Sequence, residues 1–217
     1  MGKVTARIMG NVSGKVGTII WSKWKHVYIA KGLYNRKARK EGTPSLPQVS
    51  RLSLMSGFLT KYSDLVSVGF YKKSNKNTPW ALAMKYNIAN AIEKENNGYR
   101  INYPKIKMSD GNLEGAWGGK ILFKPGQITI SWQMSQLSNQ KIIGKDKAQI
   151  MLYNETRDRV INYAVQPERS ELESTHNTVG PYSGDIIHAW IFFVSPDGKM
   201  VSNSDYIGSG IVIGQPT

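Results

Sequence analysis

The stretch Gly10–Gly32, GNVSGKVGTIIWSKWKHVYIAKG, contains the residues whose types and spacing come closest to a chemical motif. A phosphate-binding P-loop requires G-x-x-x-x-G-K-[ST] between a strand and a helix. With Gly14-Lys15 in that motif, its first glycine falls on Met9 and its hydroxyl residue on Val16, and a strand-like segment follows. We therefore expect no nucleotide hydrolysis. The glycines instead predict a tight turn that needs positive φ and whose backbone N–H groups can hold an anion: Gly10, Gly14 and Gly17.

The second half of the stretch interleaves aromatic and basic residues, as single-stranded nucleic-acid binders do. The candidates for base stacking are Trp21, Trp24 and Tyr28. The candidates for polyanion binding are Lys15, Lys23, Lys25, Lys31, Arg36, Lys37, Arg39 and Lys40. Alternation along a strand predicts Trp21 and Lys23 on one face, with Trp24, His26 and Tyr28 on the other. We favour an amphipathic hairpin with Trp24 and Tyr28 in its core over a stacking platform; either one attracts phosphate.

The positive charge is concentrated in the first third of the chain. The 217 residues have a formal net charge of +14. Residues 1–76 hold fifteen Lys/Arg and two acidic residues, whereas residues 120–217 hold nine of each. Such an asymmetry is typical of a module that meets a polyanion, and +13 over 76 residues exceeds what solubility alone requires. The alternative is a solvated basic face with no partner.

No catalytic or metal-binding pattern is visible. There is no cysteine, and the three histidines, His26, His176 and His188, have no partner at metal-ligand spacing. We expect His188 to be a half-buried residue of a sheet. The nucleophile motif G-x-S-x-G is absent, and the acidic residues Glu168, Glu171 and Glu173 cluster in a predicted loop. We expect no metal, no cofactor and no enzymatic activity; a hydrolase site assembled from distant residues stays a third hypothesis.

The hydrophobic pattern predicts strands first and then two helices. Strands are expected within residues 4–32, with a hairpin whose connection is Ser22–Lys25. Residues Leu33–Thr43 form a basic linker. Apolar residues at helical spacing predict helices over about 46–70 and 79–95. Ser45 is the expected cap of the first helix and Thr78-Pro79 the start of the second, which the Asn-Asn-Gly at 96–98 ends.

From Tyr99 onward the pattern changes to short period-two segments separated by turns. About seven strands after residue 118 fit an immunoglobulin-like sandwich. We therefore predict an α+β protein, in which residues 1–118 form a basic N-terminal module of a β-hairpin and two helices. Residues 119–217 form the all-β sandwich.

Two resemblances support this division. Trp132 in ITISW and the closing HAWIFFVSPDGKMVSNSDYIG resemble the core tryptophan and last hairpin of fibronectin type III domains. The segments GNVSGKVG, WSKWK, YIAKG, PSLPQVSR, VGF, AMKYNIANAI and VSPDGKMVSNSDYIG, in this order, are similar to those of a Bacteroidota domain-of-unknown-function family, number 6266. The resemblance covers nearly the whole chain. It implies a family-specific N-terminal module before a sandwich, and no activity or functional residue.

These observations predict a structural or interaction protein with a basic N-terminal surface for a polyanionic partner. Sandwich edges and an N-terminal hairpin also suit self-assembly by strand-to-strand pairing. The alternative function is nucleic-acid binding without sequence specificity. No apolar run is long enough to span a membrane, and the first residues lack the apolar core of a signal peptide. We expect a cytoplasmic location or a place in a particle released from the cell.

Overall fold

The protein is described by a computed structural model over residues 2–4, 13–24, 27–33, 47–71, 77–96, 98–161, 166–177 and 183–214. The chain divides into two compact units, Met1–Pro44 and Ser45–Thr217. Predictions for the residues outside these ranges, among them Gly10, Ser45 and most of the basic linker, lie beyond what the structure describes. No helix among the described residues is long and apolar enough to cross a membrane.

The first unit contains one antiparallel sheet of four short strands. They are β1 (Gly2–Val4), β2 (Gly14–Val16), β3 (Ile19–Trp24) and β4 (Val27–Gly32), in the spatial order β1-β4-β3-β2. The predicted glycine turn is confirmed, because Gly14 and Gly17 have φ angles of +105° and +56°. β3 runs on to Trp24, so the hairpin connection lies later than the predicted Ser22–Lys25.

The second unit begins with helices, and the first predicted helix is divided in two. α1 is Pro47–Thr60 and α2 is Ser63–Gly69, in place of one helix over 46–70. The break lies at Tyr62, whose φ and ψ of −121° and 26° are not helical. The Tyr62 ring is buried, and its hydroxyl donates to the carbonyl of Leu152 at 3.1 Å. A break here turns the chain while keeping the apolar stripe against the core.

The second predicted helix starts as expected and ends early. α3 is Pro79–Asn90, and the Thr78 hydroxyl accepts from the N–H of Ala81 at 3.2 Å, which confirms the cap. Instead of continuing to residue 95, the chain forms a two-stranded ribbon of β5 (Ile92–Glu95) and β6 (Gly98–Ile101). The Asn-Asn-Gly that was expected to end a helix therefore belongs to a hairpin connection, a second use of the same residues.

The remaining strands build a sandwich of two antiparallel sheets. β7 (Trp117–Lys124), β8 (Gln127–Gln133) and β11 (Glu173–Asn177) form a three-stranded sheet in the order β11-β8-β7. The other sheet has the order β10-β9-β12-β13, formed from β9 (Lys147–Asn154), β10 (Arg159–Ile161), β12 (Ile186–Val194) and β13 (Asp205–Ile211). A short helix, α4 (Gln140–Ile143), precedes β9. Seven strands in two sheets, with helices before them, confirm the predicted α+β class with an immunoglobulin-like sandwich.

The four-stranded sheet is buried on both faces. In β12, every residue after Ile186 is buried, which is not expected of a sandwich strand with one face in solvent. Ala189, Ile191 and Phe193 pack toward the other sheet, whereas Trp190 and Phe192 pack with α1–α3. The second unit thus has three layers: helices, the four-stranded sheet and the three-stranded sheet.

This shared core bears on the domain boundary. The division after residue 118 stays a prediction, since no separate fragment has been compared. The core argues for a different division, because Met55 and Phe58 of α1 share one apolar cluster with Met151 of β9 and Trp190 of β12. A sandwich cut from the chain at 119 would expose that face of its sheet. The compact unit that contains the sandwich begins at Ser45.

The β5–β6 ribbon is held to the segment after it by Glu93. Its carboxylate accepts from Asn102 at 2.5 Å, from Lys105 at 3.1 Å and from Arg100 at 3.1 Å. The hydrogen bonds, that of Asn102 foremost, lower the pKa of Glu93 from 4.5 to about 2. The charged form is therefore favoured in the folded protein.

This shift predicts a pH dependence of stability. A carboxyl whose pKa is lower when folded contributes stability above its unfolded pKa, and loses it as the pH falls through about 2. We expect Glu93→Gln to lower the free energy of unfolding at pH 7, and the difference from wild type to vanish toward pH 2. Urea unfolding at several pH values measures it. The exposed neighbour Glu95, changed to Gln, is the control, and a Glu93 carboxyl that titrates by NMR near 4.5 would contradict the prediction.

Candidate functional site

The predicted polyanion-binding residues fall on the N-terminal sheet as far as they are described. Lys15, Lys23 and Lys31 lie on β2, β3 and β4 and are exposed. The others lie outside the described residues: Lys25, Arg36, Lys37, Arg39 and Lys40. The whole first unit, residues 1–44, holds ten Lys/Arg against one acidic residue, a formal charge of +9.

Two of these lysines share a face of the sheet. Ile20 on the central strand β3 is opposite Lys15 on one side and opposite Lys31 on the other. Residues that pair directly across antiparallel strands project to the same face. Lys15 and Lys31 therefore flank Ile20 on what we call the Lys15/Lys31 face.

The opposite face carries the aromatic residues, in an arrangement that corrects the sequence prediction. Lys23 pairs with Tyr28, and Trp21 pairs with Ala30, so Trp21, Lys23 and Tyr28 project together. Tyr28 was expected to share a face with Trp24. That prediction carried the odd–even alternation through the turn, but paired residues in this hairpin have opposite parity, as 23 with 28. The Lys23 ammonium lies 5.5 Å from the centre of the Tyr28 ring, a cation–π contact.

Trp24 ends β3 opposite Val27, and its side chain is not among those described. Trp21 and Tyr28 are both partly buried within the first unit. Their common face, with Lys23 between them along the hairpin, has the two components of a stacking surface, aromatic rings and a positive charge. We call it the Trp21/Tyr28 face.

A second candidate site, which the sequence did not reveal, lies in the second unit. We call it the aromatic groove: two adjoining cavities of about 650 and 360 Å³ between α1, β6 and the end of β9. Both cavities are lined by Arg100, Ile101, Tyr103 and Glu155. The larger cavity reaches Phe58, Lys61, Tyr153 and Asp158, and the smaller one reaches Glu93 and His188.

His188 is the centre of a hydrogen-bonded chain at one end of the aromatic groove. Its Nδ1 lies 2.9 Å from the Tyr206 hydroxyl and its Nε2 lies 3.0 Å from a Glu155 carboxylate oxygen. The Tyr103 ring stacks on the imidazole with ring centres 4.2 Å apart. His188 is buried rather than half-buried as expected. A neutral imidazole that donates from Nε2 to Glu155 and accepts at Nδ1 from Tyr206 satisfies all three groups.

Lys61 and Asp158 form an ion pair at the other end. The Lys61 ammonium contacts the Asp158 carboxylate, and it lies 5.3 Å from the centre of the Tyr153 ring. The Tyr153 hydroxyl donates to the same carboxylate. The hydrogen bond from Lys61, followed by that from Tyr153, lowers the pKa of Asp158. Burial raises the pKa of Tyr103, and the charges of Glu155 and Asp158 act in the same direction.

These groups do not form a recognisable acid–base pair. Hydrolysis by two carboxyl groups requires one of them to keep its proton near neutral pH. Asp158 and Glu93 in the groove instead have lowered pKa values. Over the described ranges of the chain, no three His, Asp or Glu side chains come together as a metal ion requires.

The groove residues were missed because their partners are distant along the chain. His188 and Glu155 are 33 positions apart, and His188 and Tyr206 are 18 apart. No local motif marks such contacts. The one available signal was a histidine within an apolar strand, which more often indicates a satisfied core residue.

The chain belongs to the family of unknown function DUF6266, which it matches over residues 11–208. This confirms the family resemblance; the Bacteroidota origin stays a prediction. No protein of curated function matches the chain in sequence.

Among solved structures, the chain is similar to two human fibronectin type III domains. One is from contactin 1, at 14% identity, with 50% of this chain and 85% of that domain covered and a TM-score of 0.34. The other is from the collagen alpha-1(XX) chain, at 8% identity, with 50% and 92% covered and a TM-score of 0.36.

Proposed function

We propose that this protein is a non-enzymatic interaction protein whose N-terminal unit binds a polyanionic partner through its basic sheet. The observation that carries the proposal is the pairing of Lys15 and Lys31 on either side of Ile20. It places two exposed ammonium groups on one face, about 10 Å apart at two strand spacings. The formal charge of +9 over residues 1–44 supports it.

The physical basis is the release of counterions. A polyanion such as a nucleic acid carries a condensed layer of cations, and each lysine that neutralises a phosphate releases one. A sheet presents such lysines at fixed spacing with little loss of backbone entropy on binding. The Lys15/Lys31 face has Ile20 between its charges, so it favours the backbone of a polyanion over stacked bases.

The test is the double variant Lys15→Gln/Lys31→Gln in the full chain. We expect the double variant to bind a fluorescent twelve-residue oligodeoxythymidine more weakly. The slope of log K against log salt should fall in magnitude by about 2, one for each lost phosphate contact. Fluorescence anisotropy from 50 to 300 mM salt measures both.

The matched control is Lys120→Gln/Lys124→Gln, which removes the same charge from two exposed lysines of β7 in the second unit. The control should keep the wild-type slope. An equal loss in both double variants would mean that only net charge matters, and no loss in either would contradict the proposal.

Nucleic-acid binding without sequence specificity is the second candidate function. It is favoured by the Trp21/Tyr28 face, which brings two rings and Lys23 together. Stacking contributes about 1–3 kcal/mol per base and no affinity for a sugar polyanion. The same titration with a heparin fragment separates the two: tighter oligonucleotide binding at matched charge supports this candidate, and equal binding contradicts it.

Self-assembly is proposed for the same unit. β1 and β2 are the edges of its sheet, and Val16 on β2 is 59% exposed. An edge with an exposed apolar residue favours pairing with a second copy. Light scattering should then give a mass above the 24.3 kDa of one chain, and a monomer at high concentration would contradict it.

A further inference from the structure

We propose that the aromatic groove is a binding site for an organic cation, a guanidinium or alkylammonium group seated between the Tyr103 ring and the Glu155 carboxylate. The site goes beyond the polyanion function, because it lies in the second unit and takes a ligand of opposite charge. Its components are a cavity, an aromatic wall and one carboxylate that has no cationic side chain beside it.

The first step of the argument is the pairing of the charges that line the groove. Asp158 is bound by Lys61. Glu93 is bound by Arg100 and by Lys105, each at 3.1 Å. Among the described contacts, Glu155 has only the imidazole of His188, through one of its two carboxylate oxygens. The side chain of Glu155 is 43% exposed and lines both cavities, so its second oxygen can reach a ligand.

The second step is the aromatic wall. One face of Tyr103 is covered by His188 at 4.2 Å between ring centres, and the Tyr153 ring centre lies 5.5 Å away. Aromatic faces are negative and attract cations, most strongly where water is partly excluded. The carboxylates of Glu155 and Asp158 help to raise the pKa of Tyr103, so a cation near this ring meets a negative field.

The third step is a precedent inside the same groove. Lys61 already places an ammonium between an aromatic ring, that of Tyr153, and a carboxylate, that of Asp158. Tyr103 and Glu155 repeat this combination at the centre of the groove without a lysine or arginine bound to the carboxylate. The Arg100 guanidinium, which also lines the groove, is bound to Glu93.

The shared chemistry has two sources, an arginine or lysine side chain of a partner and a free amine. The two cavities, of about 650 and 360 Å³, are larger than one guanidinium group needs. Room beyond the head group suits a ligand with more atoms, such as a peptide segment. The experiment below distinguishes the two sources.

The test is an NMR titration of the full chain at pH 8 and 50 mM salt with three ligands. They are a capped Gly-Gly-Arg-Gly-Gly peptide, the same peptide with citrulline for arginine, and agmatine. We expect shifts of Tyr103, Glu155 and His188 with the arginine peptide and at least about fivefold weaker binding of the citrulline peptide. Tighter binding of the peptide than of agmatine assigns the site to a partner side chain, and equal binding assigns it to a free amine.

The decisive variant is Glu155→Gln, which keeps the shape of the side chain and an acceptor for His188 but removes the charge. We expect about fivefold or greater loss of affinity for the arginine peptide, and a similar loss for Tyr103→Leu. The control is Glu173→Gln on β11, an exposed acid outside the groove, which should bind as wild type. Equal binding of the citrulline peptide, or unchanged affinity in Glu155→Gln with an intact spectrum, overturns the proposal.

Discussion

Replacing Arg169 by alanine should cost about 3–5 kcal/mol of folding free energy, because it leaves a buried carboxylate without its counter-charge. Arg169 is fully buried, and its guanidinium lies 3.1 Å from the carboxylate of Asp146, which is 4% exposed. The same guanidinium donates to the carbonyls of Glu114 at 2.6 Å and Gly115 at 3.2 Å. It also stacks on Phe193, 3.7 Å from the ring centre.

The loss has two causes that can be separated. Burial raises the pKa of Asp146 even with Arg169 beside it, so an unpaired Asp146 costs still more at neutral pH. The two carbonyls lose a charged donor as well. Arg169→Met together with Asp146→Leu removes both charges and keeps apolar volume, and it should be more stable than Arg169→Ala.

Urea unfolding followed by circular dichroism measures these differences. Arg159→Ala on β10 is the matched control, because that arginine is exposed, and we expect a change within about 0.5 kcal/mol. A similarly small effect of Arg169→Ala would mean that the buried pair does not hold the loop 114–115 to the sandwich.

Replacing Phe58 by alanine should cost about 3–5 kcal/mol, because its ring joins the helical layer to the four-stranded sheet. Phe58 is 3% exposed. Its ring lies edge-on to Tyr153 at 5.0 Å and to Trp190 at 6.2 Å between centres. The cavity left by alanine opens between two rigid layers that cannot both move inward.

A double-mutant cycle shows whether the layers are in contact. We expect Phe58→Ala and Trp190→Leu to be coupled by about 0.5–1.5 kcal/mol, as aromatic pairs are. Val68→Ala on α2, at a residue that is 40% exposed, is the control and should have a small effect. Additive effects of Phe58 and Trp190 would contradict the three-layer core.

Local features of the fold were predictable from the sequence where one residue type has one physical role. Thr78 before Pro79 predicted a helix start, and Gly14 and Gly17 predicted a turn with positive φ. The period-two segments after Tyr99 predicted the sandwich. Each of these signals depends on backbone geometry within a few residues.

Features that depend on distant partners were not predictable in this way. Residues Ile92–Glu95 fit a helix by pattern, but pairing with β6 makes them a strand. The shared face of Tyr28 and Lys23 depends on the register across a turn. The aromatic groove brings Tyr103 to His188, 85 positions away, and only the packing of α1 against the sheet creates it.

The most direct test of the proposed function is the salt dependence of wild-type binding to the twelve-residue oligodeoxythymidine. If about six lysine and arginine residues of the first unit contact phosphates, log K should fall against log salt with a slope near −5 between 50 and 300 mM. A steep linear slope is the result we predict. No binding at 50 mM salt, or an affinity that does not change with salt, would contradict the claim that the basic N-terminal unit binds a polyanion.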